Sequence, residues 1–159
     1  MSLTYLGFDV AGKGYGINLA AVREVTLPMP PVTVPLAPKF VRGLVNLRGE
    51  LVVLVDMGFW LWGKPSEITQ HSRILLLNPS CSDATGLLVD GLREARTFHS
   101  SDMLVSDNNE DSTPLARILQ GLCKWDDGVI TLVDAGKFGQ ILEKAIDAKS
   151  DDSTESKTL

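Results

Sequence analysis

The apolar and polar positions of this chain fall into short runs separated by turn residues, and the clearest set lies between Val41 and Trp62. Leu44, Val45 and Leu47 form one apolar run, Arg48-Gly49 stands where a tight turn belongs, and Leu51 to Val55 form a second, continuous run. Runs of this length bounded by turn residues predict two buried hairpin strands. Asp56 follows as a helix N-cap, its side-chain oxygen free to accept from the next backbone N–H groups. A turn needs glycine but does not need arginine, so Arg48 is the odd residue of the stretch.

The same reading extends along the chain. Leu3 to Val10 and Tyr15 to Leu19 flank Gly12-Lys13-Gly14 and predict a hairpin. Leu19 to Val22 is a brief pivot before a strand over Arg23–Leu27. Pro28 to Pro38 holds five prolines, which cannot donate to a ladder, so it reads as an edge or extended loop. Gly63 to Ser72 is a polar connection, and strands are predicted over Arg73–Asn78 and Ala84–Asp90, followed by Gly91 to Ala95. Ser100 to Pro114 is acidic and polar and reads as a long mobile loop. Leu115–Trp125, Gly128–Val133 and a helix from Asp134 to about Ile146 complete the domain, and residues 147–159 read as a disordered tail.

The chain also repeats itself. Tyr15 to Val25 aligns without a gap on Thr85 to Ala95, and Gly43 to Gly58 aligns on Gly121 to Gly136. Two copies of a unit of about five strands point to paired small barrels or sandwiches rather than a solenoid. Positions common to both copies (Gly43/Gly121, Leu54/Leu132, Asp56/Asp134) are candidates for fold requirements. Arg48 aligns with Asp126, so the scaffold accepts either charge at that turn.

Composition narrows the function. The 159 residues and 44% hydrophobic content suffice for one domain with a real core. A net charge of −5 without a Lys/Arg cluster argues against nucleic acid. No apolar run is long enough to span a bilayer, and the N-terminus lacks the pattern of a signal peptide, so a cytoplasmic protein with no direct membrane insertion is expected. Cys81 and Cys123 are far apart and read as reduced thiols. His71 and His99 stand in polar stretches without metal-pair spacing, and no nucleophile motif or phosphate loop is present. The expectation is a binding protein with no catalytic, cofactor or metal site.

The block G-L-V-N-L-R-G-E-L-V-V-L-V-D from Gly43, Y-G-I-N-L-A-A-V-R-E-V from Tyr15 and G-L-L-V-D-G-L-R-E-A from Gly86 resemble the CheW domain, from about Leu3 to Ile146. The resemblance implies an all-β fold of two small five-stranded, Src-homology-3-like barrels on a shared core. It places the first barrel mainly in 15–62 and the second mainly in 73–134, with the termini crossing over, in one domain over 1–146. It implies a non-catalytic adaptor between the cytoplasmic tips of methyl-accepting chemoreceptors and the regulatory domain of a CheA-like histidine kinase, itself built like CheW, working at membrane-associated receptor arrays. By motif position, Arg48 and Glu24 are expected to pair and shape a partner-facing surface, a pair then unique to the first copy. Val22 and Leu44 are further partner-binding candidates, with Val89 as a groove residue. Two alternatives stand beside this reading: an adaptor of a chemosensory system controlling pili, surface behaviour or second messengers, and a small β-barrel enzyme or ligand-binding protein with a polar pocket between the barrels. The run Phe59-Trp60-Leu61-Trp62 departs from the family, and at least one of these large residues is expected at the surface.

Overall fold

The computed structural model describes residues 2–104, 113–126 and 128–157, with side chains described as far as Ile146. Residues 105–112, the centre of the acidic stretch expected to be a mobile loop, lie outside the described residues. Eleven strands and three α-helices follow in the order β1 (Ser2–Val10), β2 (Lys13–Asn18), β3 (Val22–Thr26), β4 (Val41–Leu47), β5 (Glu50–Asp56), α1 (Met57–Trp62), β6 (Arg73–Leu77), β7 (Thr85–Val89), β8 (Gly91–His99), β9 (Met103–Leu104), α2 (Pro114–Ile118), β10 (Leu119–Trp125), β11 (Gly128–Val133) and α3 (Ala135–Lys157). α3 passes Ile146 and runs through most of the stretch expected to be a tail; the sequence has no glycine or proline between Gln140 and Lys157 to stop it.

The strands form two packed sheets, one of six strands in the order β8-β1-β2-β11-β10-β9 and one of five in the order β3-β6-β7-β5-β4. The division does not follow the two halves of the chain. The hairpin β1–β2 joins the second half through the parallel pair β2/β11, and β6–β7 joins the first half through the parallel pair β7/β5. Tyr15 to Asn18 therefore stands in the six-stranded sheet, and Arg73 to Val89 in the five-stranded one, a different partition from the expected 15–62 and 73–134. Each copy of the repeat has given its first hairpin to the other, and short loops from Asn18 to Val22 and from Val89 to Gly91 make the handover.

Both sheets are strongly curled. In the six-stranded sheet β8 and β10 are four positions apart, about 19 Å if flat at roughly 4.8 Å per strand. Yet the Phe98 and Trp125 rings, from those two strands, lie 5.6 Å apart. Each sheet wraps its own small core: Tyr5, Phe98, Cys123, Trp125, Ile130 and Leu132 in one, and Val45, Val52, Leu54, Ile74, Leu76 and Leu88 in the other. A third cluster lies between the sheets and draws on both, with Phe8, Tyr15, Ile17, Val55, Leu75, Leu87 and Val89 joined by Ile118, Phe138 and Leu142. β7 is buried at every position because one face looks into its own sheet and the other into this shared core, which is why it carries no charged residue and ends in the apolar run Leu87-Leu88-Val89.

α1 begins where the sequence places it. Asp56, 1% exposed, accepts from the Phe59 N–H at 3.0 Å, from the Ser66 N–H at 2.9 Å and from the Ser66 hydroxyl at 2.8 Å. The Arg42 guanidinium stands 3.3 Å from the same carboxylate. Asp134 repeats the capping role for α3, accepting from the Lys137 N–H at 3.1 Å. α3 passes so close to the turn after β6 that a Cβ at Gly139 would meet the Cys81 carbonyl oxygen at 2.0 Å, so that position accepts glycine alone.

Candidate functional site

The β4–β5 hairpin closes on two residues with positive φ, Arg48 at 54° and Gly49 at 85°, between the paired Leu47 and Glu50. That is the backbone of a two-residue turn matching the twist of its strands. The side-chain oxygen of Asn46 accepts from the Gly49 N–H at 2.8 Å. Asn46 and Gly49 thus account for the turn. Arg48 works against it, since a non-glycine residue in the left-handed region costs roughly 1–2 kcal/mol.

The Arg48 guanidinium reaches Glu24 on β3 at 2.9 Å, with its side chain 83% exposed against 25% for Glu24. β3 and β4 are the two edges of the five-stranded sheet, so this ion pair spans the open seam left by the curl. Arg23 and Glu50 cross the same seam at 3.2 Å. Two crossed ion pairs hold the hairpin tip to the opposite edge where no backbone ladder does.

The six-stranded sheet has the same device with its charges reversed. At the tip of β10–β11, Asp126 (φ 51°) meets Arg96 of β8 at 2.6 Å, and Arg96 also covers the Trp125 ring at 4.6 Å. The pair was expected to be unique to the first copy because Glu94 aligns with Glu24. The structure corrects this: the partner comes from two residues further along β8, on the same face of the strand.

The other expected site residues divide. Leu44 is half-buried on the outer edge of β4, where Val32 pairs with it through two backbone hydrogen bonds of 2.8 Å. Val22 is half-buried at the start of β3 and packs on the central core. Val89 is fully buried at 0% exposure, so it has no surface to offer a partner and its expected groove role is withdrawn. It ends a strand covered on both faces, and apolar sequence alone does not tell such a strand from a groove wall. Leu51, beside the hairpin tip, is 60% exposed, although it opens a continuous apolar run that reads as buried strand.

The aromatic run of α1 is also resolved. Trp60 lies edge-on to Phe138 at 4.8 Å and to Phe40 at 6.5 Å, and anchors α3 to the five-stranded sheet. Trp62 is the surface residue, 42% exposed. Its indole N–H donates to the Tyr15 hydroxyl at 3.1 Å, and the Lys13 ammonium sits 4.7 Å above its ring. This joins α1 to the first hairpin across the two sheets.

The clefts are open and mixed in character. One of about 670 Å³ is bordered by Lys13, Trp62, Arg93 and Val129, and one of about 360 Å³ by Asn18, Ala20, Cys81 and Gln120. Among the described residues no group of three His, Cys, Asp or Glu side chains is placed to hold a metal ion. Burial pushes the Tyr5 and Tyr15 phenols and the Cys123 thiol up, toward their neutral forms, with the Trp62 hydrogen bond opposing the shift at Tyr15. A nucleophile is activated by the opposite shift.

A family model described as the CheW-like domain matches residues 4–142. The chain belongs to the CheW-like family. A probable chemotaxis protein CheW from Rhizobium etli is 25% identical over 130 residues, 81% of this chain and 82% of that protein. The CheW of Rhizobium meliloti is 33% identical over 98 residues, 62% of this chain and 63% of its own length. In the crystal structure of the scaffolding protein TtCheW from Thermoanaerobacter tengcongensis the same fold recurs, with a TM-score of 0.72 and 23% identity over 84% of each chain. Members of the CheW-like family are non-catalytic adaptors of chemotaxis signalling, and this chain is one of them. No helix among its described residues is long and apolar enough to cross a membrane.

Proposed function

We propose that the chain couples the cytoplasmic tips of chemoreceptors to the CheW-like regulatory domain of a CheA-type histidine kinase, at membrane-associated receptor arrays. The observation that carries this reading is the clasped β4–β5 tip. Arg48 is held largely in solvent, at a turn that disfavours it, beside the exposed Leu51. The exposed clasp adds little to stability, so a partner surface is the better reason for an arginine there. Glu24 sets the direction of the guanidinium, and the exposed apolar side chain beside it supplies contact area for the kinase domain.

The receptor tip, a helical hairpin, is assigned to the cleft between Ala20, Cys81 and Gln120, where the two sheets meet beside Val22. With both surfaces occupied, receptor state reaches the kinase as a difference in affinity between kinase conformations. The test is calorimetric titration of the purified chain with the kinase regulatory domain and, separately, with a receptor tip fragment. Both should bind, and simultaneously. Failure of the regulatory domain to bind, or loss of it when receptor is added, would overturn the adaptor reading.

A further inference from the structure

The largest cleft gathers cationic groups that the fold does not use up. Gly14 on β2 faces Asp9 across the β1–β2 ladder, and a Cβ there would meet Cζ, Nη1 and Nη2 of Arg93 at 2.8, 2.8 and 2.9 Å. Near-equal distances to these three atoms place the guanidinium face-on over the glycine, in space that a side chain would fill. Asp9 holds it there, its Oδ1 accepting from Nε at 2.9 Å and from Nη2 at 2.8 Å. Among the described residues Nη1 has no hydrogen-bond partner. Lys13, beside Gly14, stands 4.7 Å above the Trp62 ring and has no carboxylate partner among the described residues. Trp62 belongs to none of the three apolar clusters, yet its indole N–H is tied to the Tyr15 hydroxyl, so the orientation of its ring is fixed. Lys13, Arg93 and Trp62 all border the cleft of about 670 Å³, and Asp126 on the same border is turned to Arg96 at 2.6 Å.

We propose that this cleft binds a small aromatic anion of nucleotide size, with its charged group between the Lys13 ammonium and Nη1 of Arg93 and its ring system against Trp62 and the exposed Val129. Charge and shape choose that occupant. A guanidinium held along one edge by Asp9 keeps its remaining donor aimed, and the lysine adds a movable point charge beside it. The fixed indole supplies a flat apolar contact for a ring. The cleft volume falls within the range of about 300–1,000 Å³ usual for small-molecule sites. A nucleoside phosphate and an aromatic carboxylate share this chemistry. The site does not depend on the adaptor reading: its strands belong to the six-stranded sheet, whereas the β4–β5 tip assigned to the kinase belongs to the five-stranded one.

The experiment titrates the full chain with adenosine 5′-monophosphate, indole-3-acetate, adenosine and inorganic phosphate by calorimetry, in wild type, Lys13→Gln and Trp62→Phe, with a melting curve for each variant. At least one of the two aromatic anions should bind with a Kd below about 1 mM, and which of them binds identifies the charged group. Adenosine, which lacks the charge, and phosphate, which lacks the ring, should each bind about tenfold more weakly or worse. Lys13 is exposed, so Lys13→Gln should keep its Tm within about 2 °C of wild type while affinity falls about tenfold. Trp62→Phe should weaken binding as well and remove any fluorescence change that the ligand produces. Failure of both aromatic anions to saturate, adenosine or phosphate binding as tightly as they do, or affinity unchanged in Lys13→Gln would each overturn the site.

Discussion

Removing the Arg48 guanidinium separates the two roles that an exposed ion pair can have. Arg48→Ala breaks the 2.9 Å contact to Glu24 but leaves the neighbouring Arg23–Glu50 pair across the seam. With one partner 83% exposed and the other 25%, solvent screening limits the coupling to about 0.5 kcal/mol. For a domain of this size such a loss lowers Tm by roughly 1–2 °C. Arg48→Gly also relieves the left-handed backbone, worth about 1–2 kcal/mol less the added entropy of glycine, so it should be as stable as wild type or slightly more so. The assay is a double-mutant cycle with Glu24→Gln, followed by urea unfolding at low and high salt, with a parallel titration against the kinase regulatory domain. Coupling should vanish at 1 M salt, where the screening length is about 3 Å, while both Arg48 variants lose affinity at least tenfold. A coupling above 2 kcal/mol, or unfolding of Arg48→Gly, would show that the clasp is structural. Retained affinity would show that Arg48 is not a contact.

Asp56→Ala should behave in the opposite way: it strands a half-buried guanidinium, a buried serine and a helix N-terminus together, costing about 3–5 kcal/mol by urea unfolding. Asp134→Ala, which removes a single capping bond, should cost about 1 kcal/mol in the same measurement. Stability should also fall with rising pH on the alkaline side. The Cys123 thiol and the Tyr5 and Tyr15 phenols are raised above their ordinary values of 9.0 and 10.0, so the unfolded chain releases these protons first. Their contribution is whole below about pH 9 and is lost as pH climbs through the folded values. Melting curves from pH 7 to 11 check this, and Cys123→Ala should remove the earlier onset while keeping the later one.

Much of this could be read from residue order because it depends on neighbours in sequence. The β4–β5 hairpin, the Asp56 cap and the internal repeat all follow from spacing. What could not be read depends on pairing over long distances. The exchange of hairpins between sheets rests on the parallel pairs β2/β11 and β5/β7, which no local pattern marks. The repeat alignment points to Glu94 rather than Arg96, because strand alternation lets a partner shift by two positions and keep its face. Val89 lies in the core and not in a groove, and in sequence an apolar run buried on both sides looks the same as one lining a groove.

The exchange of hairpins also sets an order of events during synthesis. All strands of the five-stranded sheet lie between Val22 and Val89, so that sheet can be complete while the C-terminal third is still being made. The hairpin β1–β2 emerges before the other strands of this domain, yet its parallel partner comes late, because about 110 residues separate Asn18 from Gly128. At roughly 5–20 residues per second the β2 edge waits about 5–20 s for β11. The β2 edge is thus made early and covered late, and an exposed strand edge invites pairing with another nascent copy.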